Sequence, residues 1–298
     1  MQKVIDKTYL PFSSDELRPH FTTDVEGQLN YYQKSARRYH DFLEKNPKTS
    51  GISLSDSKLP RQIEKDERFW TITATKSVFD ATNKEQILNQ LLTKTYGPTP
   101  PISGISSWEE CLDGELHLYF EACLPSPSSY VDWLRSNITN RQLIPYILDG
   151  AARKNARTLE GATHVDAMFL NVTNGFAWLI EAKVLSDISY SISFDNLRNQ
   201  IARNIDVMLD KTSHQYKALE KRNPVRSLFA LLSPKQFKNS PHSRLYGWLM
   251  TEYITKPDAL ARDLCHLSRN DWPNISRRIG WITFEDVNEV LPNSCSWL

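Results

Sequence analysis

An α/β fold with a mostly helical N-terminal region is predicted by three features of this 298-residue chain. Two apolar-rich runs, residues 163–172 and 176–184, are joined by Asn174-Gly175, the strongest short hairpin signal a sequence offers. Beyond this hairpin, helical and strand-like patterns alternate, as they do when helices layer on a sheet. Before it, the apolar spacing is mainly helical.

Composition sets the frame. With 40% hydrophobic residues and only 10 Gly, neither a disordered nor a collagen-like chain is possible. At about 100 to 200 residues per domain, the length allows one large domain or two modest ones. The chain carries 36 Lys and Arg against 35 Asp and Glu, a net charge of +1. No global field can therefore hold a polyanion or an anionic membrane, and nucleic-acid affinity requires a local basic surface. Four widely spaced cysteines (Cys111, Cys123, Cys265, Cys295) suggest neither a zinc site nor a disulfide framework and read as reduced thiols. The N-terminal residues lack the apolar run of a signal peptide, and no stretch approaches the ~18 apolar residues of a membrane span. A soluble, cytoplasmic protein is expected.

The elements follow in order. Leu29, Tyr32, Ala36, Tyr39 and Leu43 share one helical stripe, so a helix is expected over 27–46. Residues 47–65 lack an apolar period and read as a surface connection. Residues 69–79 are rich in β-formers. A helical pattern at Ile87, Leu88, Leu91 and Leu92 ends at Gly97-Pro98 and the prolines beyond it. Residues 116–124 read as a strand, Ser129 with Asp132 as a helix start, and 141–156 as a second helix. A boundary near residue 128 separates an N-terminal region (1–128), assigned to recognition or dimerisation, from a second region (129–298). After the hairpin come a helix over 196–209, a strand over 227–232, a helix over 243–253 and a strand over 278–284.

Taken as a two-residue loop, Asn174-Gly175 sets Thr173 opposite Phe176, Asp166 opposite Lys183 and Met168 opposite Glu181. Side chains of one face recur every second residue, so Asp166, Glu181 and Lys183 project from one side. Val165, Ala167, Phe169, Trp178, Ile180, Ala182 and Val184 occupy the other, a continuous apolar surface for helices to cover. The acidic face is itself apolar otherwise, with Met168, Leu170 and Leu179. Ionised groups beside such a surface carry a desolvation cost of several kcal/mol per ion unless they pair or bind metal. Two hard oxygen ligands one strand apart suit Mg2+, and a neighbouring lysine can orient or help deprotonate water. The bland alternative is an Asp166–Lys183 cross-strand ion pair, which leaves Glu181 uncompensated.

Asp166, followed by Glu181-Ala182-Lys183, resembles the Asp…Glu-x-Lys signature of the PD-(D/E)xK nuclease superfamily. The proline of that signature is absent, and His164-Val165-Asp166 stands in its place. Downstream, Gln200-Ile201-Ala202-Arg203 is similar to the Gln-x-x-Arg element of some members. The resemblance covers roughly residues 140–285. It implies a restriction-endonuclease-like core, a central mixed sheet flanked by helices. It also implies Mg2+, with Mn2+ as a substitute, on Asp166, Glu181 and the carbonyl of Ala182. Lys183 would position water for attack on a phosphodiester, leaving a 5′-phosphate and a 3′-hydroxyl. Gln200 and Arg203 share a helix face from which both could reach a phosphate. A further acid often precedes the hairpin in this superfamily; Glu160 and Asp149 are the candidates, with Glu160 favoured if its strand runs unbroken through Gly161.

The expected function is a Mg2+-dependent DNA endonuclease of the restriction, defence or repair type, with RNA as another substrate and a homodimer as one assembly. The alternative is a catalytically silent nucleic-acid-binding or scaffold protein with the same fold, which the near-neutral charge favours. Arg153, Lys154 and Arg157, together with Lys235 and Lys238, flank the hairpin and strand as phosphate-contact candidates. Arg277-Arg278, His164 and Asp187 receive no role.

Overall fold

Five apolar runs pair into one sheet, in the order β1 (Leu116–Leu124), β2 (Thr163–Asn171), β3 (Ala177–Ala182), β4 (Ser227–Ser233) and β5 (Ile279–Thr283). The computed structural model describes residues 11–45, 65–154, 159–188, 194–211, 217–295 and 298. Strand β2 runs antiparallel to both β1 and β3, whereas β3, β4 and β5 are parallel. The sheet is therefore mixed. Parallel neighbours need long crossovers, and the helices that supply them pack on one face, while N-terminal helices and the last helix cover the other.

The longer helices are α1 (Val25–Lys45), α2 (Glu67–Asp80), α3 (Lys84–Tyr96), α4 (Ser128–Arg141), α5 (Pro145–Ala152), α6 (Gln200–Leu209), α7 (Leu245–Thr255) and α8 (Phe284–Val290). One apolar layer joins Leu29, Phe69, Ile72, Leu88, Leu92 and Phe284 to Phe169, Trp178, Ile180 and Leu232 of the sheet. The opposite layer joins Ile201, Ile205, Met208, Tyr246 and Met250 to Met168, Leu170, Leu179 and Leu231. The result is an α/β protein with a helical N-terminal region, its sheet buried on both sides. The division drawn near residue 128 falls between β1 and α4, and β1 is already part of the sheet.

Most elements lie within a few residues of their predicted limits, and the departures have physical causes. Residues 69–79, rich in β-formers, lie in helix α2. The Asp66 side chain caps it by accepting from Arg68 N–H (3.1 Å), and Thr71 and Thr75 turn their hydroxyls onto carbonyls four residues back (2.7 Å each). Tertiary burial of Phe69, Ile72 and Val78 then outweighs β-propensity. Helix α4 starts at Ser128 after Pro127, without the side-chain cap expected from Ser129 and Asp132. The stretch 141–156 holds a helix only over Pro145–Ala152. The connection read over 47–65 lies almost wholly outside the described residues.

The β2–β3 hairpin has a four-residue loop, Val172 to Gly175. Asn171 N–H donates to Phe176 O (2.8 Å), and the Asn171 carboxamide accepts from Thr173 N–H (3.0 Å) and Asn174 N–H (3.3 Å). Asn171 Nδ2 donates to the carbonyls of Cys111 (3.0 Å) and Asp113 (2.8 Å), tying the loop to the layer beneath. Met168 consequently opposes Leu179, and extending the ladder sets Asp166 opposite Glu181 rather than Lys183. The correction is two residues. An even shift leaves every side chain on its face, so the grouping of Asp166, Glu181 and Lys183 does not depend on the loop length.

A second departure is local. Glu121 takes a left-handed φ of 48°, and there β1 changes its alternation: Leu118 and Phe120 enter one layer, Ala122 and Leu124 the other. Its neighbour β2 follows, because Val165 joins the second layer while Ala167 and Phe169 join the first. The apolar surface expected to include Val165 therefore begins at Ala167. The kink falls where Asp166 stands.

Gly175 has a φ of 80°, and an added Cβ would lie 2.9 Å from Lys221 O and from Asn223 Cβ. Gly175→Ala is expected to lower stability by about 1–3 kcal/mol through left-handed strain and this collision, measured by denaturant unfolding at unchanged m-value.

Candidate active site

Strand β3 ends at Ala182, and its last residues carry the chemistry. Successive peptides of a strand turn to opposite neighbours. Lys183 N–H donates to Leu232 O of β4 (2.9 Å), so the Ala182 peptide turns to β2. There its N–H donates to Asp166 Oδ2 (2.7 Å). Asp166 thus occupies the place of the next ladder rung, since the β2–β3 pairing stops at Ala167 and Ile180.

Glu181 is 1% exposed and held on both oxygens. Oε1 accepts from Lys183 Nζ (2.9 Å) and from Gln200 Nε2, and Oε2 accepts from Asn204 Nδ2 (3.0 Å). Gln200 and Asn204 are one turn apart on α6, so they present the same face. The Asn199 side chain fixes that turn by accepting from Ala202 N–H (2.8 Å). Lys183 Nζ also donates to Glu67 Oε2 (3.2 Å), in the first turn of α2. Ser186 Oγ donates to the other oxygen of Glu67. The N-terminal region therefore reaches the site.

Glu121 completes the cluster from β1, where it stands opposite Asp166 between the rungs Phe120–Ala167 and Ala122–Val165. Burial pushes its carboxyl up to about 7, with Glu181 and Asp66 acting in the same direction against Arg68 and Lys183. Asp166 is raised well above the ordinary carboxylate range by burial first, then by Glu181 and Glu121; Lys183 and the Ala182 N–H oppose this. Burial works against the Lys183 charge, but Glu181, Asp166 and Glu67 outweigh it and hold the amine above its usual value. Lys183 is thereby an ammonium suited to donate hydrogen bonds. Glu67, Glu121, Asp166 and Glu181 outnumber their nearby cations, Lys183 and Arg68.

The donor set fits a hard divalent cation. Carboxylate oxygens are what Mg2+ takes, it needs only one or two of them from protein, and a cation would offset the burial and mutual repulsion that raise Asp166 and Glu121. Among the described residues, no cluster of three or more His, Cys, Asp and Glu is closed enough to hold an ion by itself. Asp166 and Glu181 are the pair that could contribute ligands. The Ala182 carbonyl, on the same side of the strand as its N–H, is the third group.

Two predicted residues go elsewhere. Glu160 is held by Arg203 Nε (2.6 Å) and Arg198 Nε (3.4 Å), with no hydrogen bond or ion pair to Asp166, Glu181 or Lys183. The strand starts only at Thr163, after Gly161, so the even spacing that favoured Glu160 does not apply. Arg203 also donates to the carbonyls of Gly161 (3.0 Å) and Ala162 (3.2 Å) at the entry of β2. Gln200 does reach the site, as a donor to Glu181. Asp149 lies on α5 without a contact to the cluster, and Asp187 accepts from Leu245 N–H (2.7 Å) and Tyr246 N–H (3.2 Å) at the start of α7.

Sequence reasoning missed Glu67, Glu121 and Asn204. Asn204 was legible, four residues after Gln200 on one helix face. Glu67 carried a weaker signal, as an acid following the cap residue Asp66. Glu121 had none, because its place depends on a strand pairing with β2 across more than 40 residues.

Comparison with protein-family models, with curated proteins and with solved structures gives no match.

Two measurements check the division of roles. Glu160→Ala leaves Arg198 and Arg203 without their shared carboxylate; it is expected to cost about 3–5 kcal/mol in denaturant unfolding, as loss of one partner of a buried pair does. Glu121→Gln tests the acidic cluster through pH. The Glu121 carboxyl is raised in the folded chain from an ordinary 4.5 to about 7, so its ionisation destabilises the fold as pH climbs through that window. The variant should melt above wild type at pH 8, and the difference should close below pH 4.5.

Proposed function

We propose that this chain is a Mg2+-dependent phosphodiesterase with a restriction-endonuclease-like core, acting on DNA as an endonuclease of the restriction, defence or repair type. The observation that carries this reading is the meeting of Asp166, Glu181 and Lys183 at the carboxyl end of β3, within a surplus of acidic groups.

Asp166, Glu181 and the Ala182 carbonyl would hold the ion, Mg2+ or Mn2+. When bound, the ion supplies positive charge to the phosphate oxygens and acidity to water. Lys183 acts as the oriented donor: Glu181 and Glu67 hold its ammonium, which offers a hydrogen bond to the attacking oxygen or to the phosphate. Gln200 and Asn204 keep the Glu181 carboxylate in one orientation. Water oxygen forms the new bond to phosphorus as the bond to the 3′ oxygen breaks, and a proton passes to that oxygen. The products are a 5′-phosphate and a 3′-hydroxyl. Among the described residues, no helix is long and apolar enough to cross a membrane.

A second reading, a silent nucleic-acid-binding or scaffold protein, draws on one observation. Both Glu181 oxygens already accept hydrogen bonds from protein, so this acid is satisfied without an ion.

Asp166→Ala, Glu181→Ala and Lys183→Ala are each expected to lower Mg2+-dependent cleavage of plasmid or linear duplex by about 10²-fold or more while the protein stays folded by circular dichroism. Full activity in Asp166→Ala would refute the assignment. Calorimetric titration with Mn2+ separates the two readings: a binding heat lost in Glu181→Ala supports the phosphodiesterase, and its absence from the wild-type protein supports the silent module.

A further inference from the structure

Two basic pairs that the acidic site does not use, Lys235 with Lys238 and Arg277 with Arg278, lie about 40 residues apart in sequence. The fold brings Lys238 and Arg277 to one groove along the outer edge of β5, the last strand of the sheet. The groove has a volume of about 570 Å³, within the range of small-molecule sites. Tyr96, Pro100, Pro101, Lys238, Arg277 and Trp281 are among its lining residues, and no carboxylate lines it.

We propose that this groove binds a phosphate-bearing ligand, a nucleoside phosphate or the backbone of a nucleic-acid strand, through Lys238 and Arg277.

The Lys238 ammonium is half-buried and among the described residues makes no ion pair; it donates a hydrogen bond to the Trp281 carbonyl. Burial holds it below the ordinary lysine value, and Lys235 and Lys94 push the same way against Asp286. Asp286 is occupied in capping α8, where it accepts from Thr283 N–H (3.0 Å) and Thr283 Oγ1 (2.8 Å). An incoming anion is the group that would balance Lys238. Arg277 is exposed and donates to Asn274 Oδ1. A second cavity of about 460 Å³ shares Pro100, Pro101 and Arg277 and adds Arg278 and Asp271. Arg269 engages that acid on both oxygens (2.8 and 2.7 Å), so a paired guanidinium offsets its charge.

The strand edge contributes as well. Phe229 N–H donates to Arg278 O, so the peptides of Arg278, Gly280 and Ile282 face β4, and that of Trp281 faces the groove. The Trp281 carbonyl takes Lys238, and its N–H remains directed outward as a donor. Addition of another β-strand to this edge is disfavoured by the same contacts, because Lys238 covers the carbonyl and Pro100-Pro101 flank the edge.

The test is a calorimetric titration of the full chain with inorganic phosphate, adenosine 5′-monophosphate, adenosine and a short DNA duplex, repeated in Lys238→Gln and Arg277→Gln. At least one phosphate-bearing probe is expected to bind, adenosine is not, and each variant should weaken binding by about tenfold or more. Binding of phosphate or the monophosphate identifies a small ligand; binding of the duplex alone identifies a nucleic-acid backbone. Arg277→Gln alters an exposed side chain, so its effect is read without loss of the fold. No binding by any phosphate-bearing probe, or binding unchanged in Arg277→Gln, overturns the proposal. Mn2+ titration of the same proteins reports on Asp166 and Glu181 independently, so failure of the groove and failure of the phosphodiesterase reading are distinguishable.

Discussion

The buried carboxylate of Glu181 is the constraint on which the arrangement at the end of β3 depends. A charge at 1% exposure is tolerable only when donors surround it, and these come from Lys183, just past the end of β3, and from α6. Meeting that demand places α6 across the sheet with Gln200 and Asn204 inward. It also draws Lys183 back over Glu181, from where its ammonium meets Glu67 on α2. A single acid thereby connects the sheet to both helical layers.

Helix α6 is fastened at a second place by charge. Arg198, just before it, pairs with Asp206 (2.7 Å) and lies 3.4 Å over the Tyr130 ring, while Asp206 also meets His266 Nε2 (3.1 Å). Arg203 carries Glu160 and the two carbonyls before β2. Anchoring of this kind suits a helix that must hold a carboxylate steady, because an orienting hydrogen bond is only as fixed as the backbone behind it. The Gln-x-x-Arg spacing thus serves two tasks: Gln200 steadies an acid of the site, and Arg203 locks the strand that delivers Asp166.

How far the site was legible follows from the range of each interaction. Asp166, Glu181 and Lys183 belong to one hairpin, and the period of two in a strand groups them even though the loop proved two residues longer than Asn174-Gly175 alone suggests. Glu160 pairs with Arg198 and Arg203 instead of joining those three residues, because the strand through Gly161 that its even spacing required starts only at Thr163. The β-forming residues of α2 misled because their local preference is weaker than the burial of Phe69 and Ile72. Glu67 and Glu121 approach from segments distant in sequence, and no periodicity links them to the hairpin.

The amino-acid sequence alone determined the alternation of helix and strand, the hairpin and the common side of its three ionisable residues, because these depend on neighbours a few positions apart. Tertiary packing alone decided which acids join them, where Arg203 and Glu160 turn, and that Lys238 and Arg277 share a groove. Those outcomes depend on long-range burial and charge pairing, in which a side chain's partner is chosen by the cost of leaving it unpaired rather than by its place in the chain.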